Sequence, residues 1–578
     1  MKSLYFQDMN RYAIWVTALL LCACVSTKKK GGITRQEVKT AQRLIGLEFE
    51  RPAIDTMRSY LERNRSGYLK MREFELPNET APALYFDPFP VDFTFSAESP
   101  VQSWAIPDNV ALPSDPESIA FLPILDLASL IKHRKISAIQ LTELYLDRIR
   151  AHDSKLMSFI TVTEDLALAQ AKKADQEIAS GHYRGPLHGI PYGVKDLASV
   201  PGYPTTWGAA PYQDQVIDET ASVVKKLEEA GAVLLGKLVS GSLARGDVWF
   251  GGKTKNPWDL SQGATGSSAG SGSATSAGLV AFAIGTETLG SIISPSHRCG
   301  VTGLRPTFGT VSRHGFMTLS WSMDKVGPIG RSAVDCAVVY DYIRGKDGLD
   351  KTVKPSGFDY SSKIGIEGLK IGYFQKLFEP DSGNVSPDLT KTIEEFKQMG
   401  IELHPLELPK EFPFSVFDII LRAEAGAFFD ELVRSGGVDE MVEQHGGSRA
   451  NSLRQARFIP AVEYLQANRH RAELIEQFTA MIQEYDVILS PTSGFNQSLI
   501  TNLTGHPALS LPTGFDEKNR PTGITLLANY FDEAKLLQVA EAFQQAYSYH
   551  GLVPTGVKAG PTTEDRRVME AVENDGLN

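Results

Sequence analysis

Four cysteines in 578 residues are too few to frame a fold with disulfides, and none stands in a Cys-x-x-Cys pair. The eleven histidines are scattered singly, so no His/Cys cluster has zinc-ligand spacing, and neither a metal nor a cofactor is expected. Positive charge is in deficit: 58 Lys and Arg against 69 Asp and Glu leave a net charge of −11. With no basic stripe carrying interleaved aromatics, this excludes nucleic acid as a main partner. No repeat of the kind that builds solenoids is present. The apolar run near the start, Tyr12 to Leu21, is too short to cross a bilayer as a helix.

What is present is ordinary for a soluble globular protein, with 42% apolar and 22% charged residues in a length that allows two to four domains. The amino-terminus reads as an address. Lys2 and Arg11 precede the apolar run, which closes on Leu21-Cys22-Ala23-Cys24. A charged start, a short apolar core and small residues before a cysteine are similar to a bacterial lipoprotein signal. That similarity implies cleavage before Cys24, a lipid on its thiol, and an anchored or periplasmic protein of the cell envelope. A plain secretory signal or an uncleaved apolar terminus stays open.

Residues 1–24 are therefore set apart from the fold. Residues 25–123 read as a helical extension followed by a proline-rich arm. The Lys28-Lys29-Lys30-Gly31-Gly32 segment has the composition of a flexible spacer. Thr34-Arg35-Gln36-Glu37 has capping-box spacing before Val38, Ala41, Leu44 and Ile45, and Pro52 opens a second helical pattern that ends near Gly67. From Leu76 to Pro123 prolines interrupt any regular pattern.

Residues 124–560 carry the main domain and residues 561–578 a polar tail. Leu141, Leu144, Tyr145 and Ile149 form a helical stripe, Ile160 to Val162 a short strand, and Glu164 to Ile178 a further helix. Ala232 to Gly236 and Asp486 to Leu489 read as buried strands. Strands alternating with helices predict an α/β fold, a mixed central sheet covered by helices.

Three stretches carry chemistry. Behind Gly189-Ile190-Pro191-Tyr192-Gly193-Val194, Lys195 would end a buried segment. A lysine held there loses hydration and becomes a base near neutral pH; the plainer reading is a surface lysine paired with Asp196. Gly263 to Ser273 is rich in glycine and serine but lacks the Gly-Lys-Ser/Thr ending of a phosphate loop. Gly266-Ser267-Ser268-Ala269-Gly270 fits Gly-x-Ser-x-Gly, which offers Ser268 as a nucleophile on a turn, and apolar helical text follows from Ala277 to Ile284. In Gly285 to Pro295, Ser291 follows a glycine turn whose N–H groups could face an oxyanion.

Together these stretches resemble the amidase signature family. Its members carry a Gly-Ile-Pro-x-Gly-x-Lys-Asp segment, a Gly-Gly-Ser-Ser-Gly-Gly-Ser run and a Thr-Asp-x-Gly-Gly-Ser-Ile-Arg turn. Here Ser267 and Ser291 are 291 − 267 = 24 residues apart, as that pattern requires. Further matches are Gly303-Leu304-Arg305-Pro306-Thr307, Asp324-Lys325-Val326-Gly327-Pro328, Ser490-Pro491-Thr492 and Gly505-His506-Pro507, so the resemblance spans roughly Ile124 to Tyr547.

The resemblance implies Ser291 as nucleophile, Lys195 as base and Ser267 as the relay between them. It implies an oxyanion hole from the backbone amides of Thr288, Leu289 and Gly290, with Ser268 in support. The substrate would be a small-molecule amide, cleaved through an acyl-enzyme. The chain departs from the family at Thr265 and Ala269, where glycines are expected, and at Glu287 in place of aspartate. Leu289 replaces a glycine, placing a Cβ where φ > 0 is penalised, and Ile293 replaces an arginine.

Three rivals remain at this level. One is the glutamine-hydrolysing A subunit of a tRNA-dependent amidotransferase. Another is an envelope binding protein that kept the fold and lost the chemistry. The third is a Ser-His-Asp hydrolase using Ser268 with His297, His314 or His506. Asp347 to His470 carries no clear motif. Phe412, Phe414, Phe417, Phe428 and Phe429 there read first as a packed core stripe and second as an acyl pocket.

Overall fold

The structure is a computed structural model, which describes residues 32–44, 46–71, 73, 84–90, 93–361, 365–379, 387–409, 412–492 and 496–557. Cys22, Cys24, the lysine-rich spacer through Gly31 and the tail from 561 lie outside these residues. By its contacts the chain forms two units, Met1–Thr80 and Ala81–Asn578.

In the first unit α1 (Arg35–Leu44) and α2 (Arg51–Met71) pair. The Thr34 capping box forms as the spacing predicts: the Glu37 N–H donates to Thr34 Oγ1 at 3.2 Å and the Thr34 N–H to Glu37 Oε2 at 2.7 Å. Arg58 Nε donates to the Ile33 carbonyl at 2.7 Å, tying α2 to the start of α1. The second helix runs through Gly67 to Met71, because an isolated glycine weakens a helix without ending it.

The second unit is built on eleven strands: β1 (Phe159–Val162), β2 (Pro191–Lys195), β3 (Val233–Leu238), β4 (Phe282–Glu287), β5 (Thr302–Arg305), β6 (Lys325–Gly330), β7 (Ile371–Tyr373), β8 (Leu403–Pro405), β9 (Val487–Pro491), β10 (Ala508–Phe515) and β11 (Pro521–Leu527). Their order is β1-β3-β2-β4-β6-β5-β10-β11-β9-β7-β8. The sheet is mixed. β2 runs parallel to β3 and β4, β7 runs parallel to β8 and β9, and the remaining pairs are antiparallel. β2, β3 and β4 are buried along their whole length, which is why they read as continuous apolar text rather than as an alternation.

The helices that matter for the site are α3 (Ala138–Leu156), α4 (Glu164–Ala179), α5 (Ala269–Ser276), α6 (Ile293–Cys299), α7 (Arg449–Ala456), α8 (Ala461–Ile482) and α9 (Gln497–Thr504). On α3 the stripe of Leu141, Tyr145 and Ile149 is buried while Glu143 and Asp147 face solvent. The apolar run from Ala277 to Ile284 corrects its helical reading. The helix is the small-residue segment before it, Gly278 at φ +63° follows its end, and the run enters β4. Periodicity misleads there because a strand buried on both faces has no polar side to mark it.

Close approach sets β3. A Cβ on Gly236 would run into the Thr161 carbonyl oxygen and the Phe159 ring of β1. Gly236→Ala is therefore expected to destabilise the fold by roughly 1–3 kcal/mol, read as a lower urea midpoint at unchanged slope.

Candidate active site

Lys195 is the last residue of β2, and its side chain is fully buried. Its Nζ donates to Ser267 Oγ at 2.7 Å and to Thr286 Oγ1 at 2.9 Å, the latter on the neighbouring β4. Asp196, the partner that the plainer reading assigned to it, points elsewhere. Its carboxylate pairs with Lys237 of β3 at 2.8 Å and accepts the Thr206 N–H at 2.9 Å. Burial drives the Lys195 pKa down from 10.5 to about 7, while the negative charges of Asp324 and Glu287 hold it up in part.

The serine-rich loop lies over the end of β4, with a cis peptide bond between Gly266 and Ser267. Ser267 is buried beside Lys195. The Ser268 N–H donates to the Ser291 carbonyl at 3.1 Å, so the two serine segments are joined through their backbones. The Ser268 hydroxyl donates to the Thr286 carbonyl at 3.1 Å and accepts the Thr286 N–H at 3.2 Å. It is thus engaged as both donor and acceptor with β4, a supporting geometry rather than that of an open nucleophile. His297 is half-buried, His314 pairs with Glu219 at 3.0 Å, and His506 bonds Thr504 at 2.9 Å. None of the three is hydrogen-bonded to Ser268, which removes the histidine-based rival.

Ser291 stands just before α6 and is 8% exposed. The left-handed backbone in its turn is taken by Gly290 at φ +80°, not by Leu289. The strain expected from a Cβ at 289 therefore does not arise, and the Leu289 side chain projects outward, 37% exposed. Among the described residues, the N–H groups of Leu289, Gly290 and Ser291 have no protein acceptor. The Thr288 N–H likewise has no acceptor among the described residues, while its Oγ1 donates to Asp324 at 2.5 Å. Asp324 in turn accepts the N–H groups of Leu319 and Ser320 at 2.8 and 2.9 Å.

Two departures from the family pattern answer each other. Glu287 reaches under the nucleophile turn and accepts the N–H groups of Ile292 and Ile293 at 2.8 and 3.0 Å. Its other oxygen takes Arg305 Nη1 of β5 and Asn502 Nδ2 of α9, both at 2.8 Å. Burial alone would raise this carboxyl; Arg305, the Ile293 N–H and Asn502 overcome it and bring the pKa to about 2. Arg305 thus supplies a cation in a site where position 293 has none, and Ile293 joins the apolar core. In the serine loop Thr265 occupies the left-handed region at φ +57°, its N–H held by Asp247 at 3.0 Å, and Ala269 opens α5.

The structure brings Lys195 against Ser267 and joins the Ser268 and Ser291 segments through their backbones, while no hydrogen bond links the Ser291 and Ser267 hydroxyls among the described residues; sequence reading missed Thr286, Asn502 and the partner of Arg305. Arg305 lay within a recognised motif, but Asn502 carried no signal, since an asparagine on an amphipathic helix is ordinary. Phe417, Phe428 and Phe429 are buried, with Phe412 and Phe414 packed against the same cluster, as the core-stripe reading has it. Among the described residues no group of three or more His, Cys, Asp or Glu is arranged to hold a metal ion.

A sequence profile of the amidase family matches residues 140–500. The A subunit of the glutamyl-tRNA(Gln) amidotransferase of Heliobacterium modesticaldum is 34% identical over 481 residues, covering 74% of this chain and 97% of its own. That of Marinomonas sp. is 34% identical over 485 residues, 75% of this chain and 99% of its own. Among solved structures, the peptide amidase of Stenotrophomonas maltophilia superposes with a TM-score of 0.66 at 28% identity, over 75% of this chain and 98% of that one. The amidotransferase A subunit of Thermotoga maritima superposes with a TM-score of 0.63 at 27% identity, over 78% and 100%. A profile match across most of the chain, near-full coverage of its relatives and a shared overall fold lead to one assignment: the chain belongs to the amidase family.

Proposed function

We propose that the protein hydrolyses carboxamide C–N bonds through Ser291, Ser267 and Lys195. The observation that carries this reading is a fully buried lysine amine, 2.7 Å from a serine hydroxyl, whose pKa is lowered to about 7. The neutral amine takes the proton of Ser267 as Ser267 takes that of Ser291, and Ser291 Oγ bonds to the amide carbon. The resulting oxyanion is received by the unpartnered N–H groups of Leu289, Gly290 and Ser291. Collapse returns the proton to the leaving nitrogen, which departs as ammonia or an amine. Water then attacks the acyl-enzyme by the same relay and releases the acid.

Glu287 supports the hole from beneath by fixing the first N–H groups of α6, and Arg305 and Asn502 keep it ionised. This arrangement favours an active enzyme over a binding protein that has lost its chemistry.

A second reading narrows the first. The sequence relatives are amidotransferase A subunits, 34% identical along nearly their full length, and this favours glutamine hydrolysis for a partner protein over a free-standing amidase. The signal-like segment ending at Cys24 supports the free-standing envelope enzyme instead, with the lipid anchor a proposal that rests on the sequence alone. Ammonia release from glutamine, set against simple aryl and alkyl amides, separates the two. Mapping the mature amino-terminus tests the anchor.

A serine-reactive fluorophosphonate probe is expected to label Ser291, with labelling lost in Ser291→Ala and lowered at least about 10³-fold in Lys195→Ala. No labelling of the wild-type protein sinks the hydrolase reading. The rate of labelling should rise with pH through a single ionisation near 7 and level off above it, because only the uncharged amine accepts the proton. A rate independent of pH between roughly 5.5 and 8.5 would remove Lys195 as base. Arg305→Met strands the Glu287 carboxylate without its cation and should destabilise the fold by roughly 3–5 kcal/mol. The loss should shrink as pH falls through the acid range and Glu287 is protonated; chemical denaturation at about pH 7 and about pH 4 measures both.

A further inference from the structure

Nine non-glycine residues among those described adopt left-handed backbone, and four of them, Trp207, Leu243, Ala244 and Thr265, lie on the segments that surround Ser267. Residues 241–247 wrap that serine. The Gly241 N–H donates to the Ser267 carbonyl at 3.1 Å, and the Asp247 carboxylate accepts the Thr265 N–H at 3.0 Å. The Gly246 carbonyl lies so close to Gly266 that no Cβ fits between them. The Leu243 N–H reaches back to the Trp207 carbonyl at 2.9 Å, on the loop that follows Lys195. Two consecutive left-handed residues with side chains, Leu243 and Ala244, form the middle of this wrap, a conformation their Cβ atoms disfavour.

The group that holds them comes from a region without a motif. Arg449, the first residue of α7, donates Nε to the Leu243 carbonyl at 3.0 Å and Nη2 to the Ala244 carbonyl at 3.1 Å. It is 5% exposed. Among the described residues no carboxylate lies within ion-pair distance of it; the buried Arg331 and Arg471 likewise bond only carbonyls or a hydroxyl, whereas Arg305 and Arg344 each have a carboxylate. A buried guanidinium partnered only by carbonyls is unfavourable for its own site, so its presence points to what it holds.

We propose that Arg449 is a positioning residue for Ser267: its two-pronged hold on the Leu243 and Ala244 carbonyls keeps the 241–247 wrap closed and so fixes the relay hydroxyl against Lys195. Arg449 acts on the wrap and takes no part in the bond changes. The inference rests on the Ser291, Ser267 and Lys195 reading.

The test measures the rate at which the fluorophosphonate probe acylates Ser291, together with Tm, in four proteins. These are the wild type, Arg449→Lys, the double variant Arg449→Lys with Ala244→Gly, and Arg344→Met as a buried-arginine control. Lysine keeps the charge but is shorter and lacks the planar fork, so it loses the Nε–Nη2 geometry of the two-pronged hold. Arg449→Lys is expected to acylate about tenfold or more slowly, the scale of a misplaced catalytic group. Glycine at 244 takes the left-handed backbone freely, so the double variant should recover a large part of the rate. Arg344→Met should lower Tm with no comparable loss of rate. Wild-type rates in Arg449→Lys overturn the inference, and so does a slow Arg449→Lys whose rate glycine at 244 leaves unchanged. If Arg449→Lys fails to fold, Ala244→Gly alone replaces it. Glycine relaxes the turn, so Ala244→Gly should then label as fast as the wild type, and a large loss overturns the inference. Absence of wild-type labelling is a different failure, one that removes the hydrolase reading itself.

Discussion

The site depends on an ammonium group that the fold makes unwelcome. Lys195 sits at the end of a strand buried on both faces, and its amine has two hydroxyl neighbours and no carboxylate. Moving a lysine pKa from 10.5 to about 7 corresponds to roughly 5 kcal/mol of preference for the neutral form. Between those two values the unfolded chain binds a proton at this position that the folded chain tends to release. The fold therefore works against Lys195 throughout that range, and less so as pH rises. That deficit is met by the apolar packing of the central strands. Diverting Asp196 to Lys237 matters as much as burial, since a carboxylate beside Lys195 would restore its proton and remove the base.

Charge around the amine is graded rather than absent. Glu287 and Asp324 both act on Lys195 from a distance, and each is held by other donors: Glu287 by Arg305, Asn502 and two backbone N–H groups, Asp324 by Thr288 and two more. The carboxylate that caps α6 under the nucleophile thus also helps to set how easily the base is protonated. Replacing aspartate by glutamate at 287 lengthens the reach from β4 to Arg305 of β5. Glu287 meets Arg305, and Ile293 packs with the apolar residues around it.

Much of this was legible in the sequence because the chemistry is local in text even where it is distant in space. A buried strand ending in lysine, a glycine-serine loop and a glycine turn before a serine each announce a backbone geometry. Their order and spacing announce that the three belong together. The helical reading of 277–284 failed for the opposite reason, since an apolar run has the same composition in a buried strand as in a buried helix. The strain expected at Leu289 did not arise because which residue of a turn takes the left-handed backbone depends on how the turn is held, and here Gly290 takes it. Asn502 and Arg449 were invisible. Each lies far along the chain from what it holds, 215 residues from Glu287 and 206 from Leu243.

That distance has a consequence for how this fold can vary. Lys195 is carried by a strand and changes little without disturbing the sheet, but the serine loop and the Ser291 turn are held by groups far along the chain, Arg449 on α7 in the motif-poor stretch and Asn502 on α9 between two matched motifs. Their side chains end on the backbone carbonyls and the carboxylate that fix Ser267 and the Ser291 turn. A change in α7 or α9 therefore also moves the supports of the serine loop and the Ser291 turn. A graft of α7 and α9 from a relative would have to bring its own equivalents of Arg449 and Asn502 to keep the serine loop and the Ser291 turn in place.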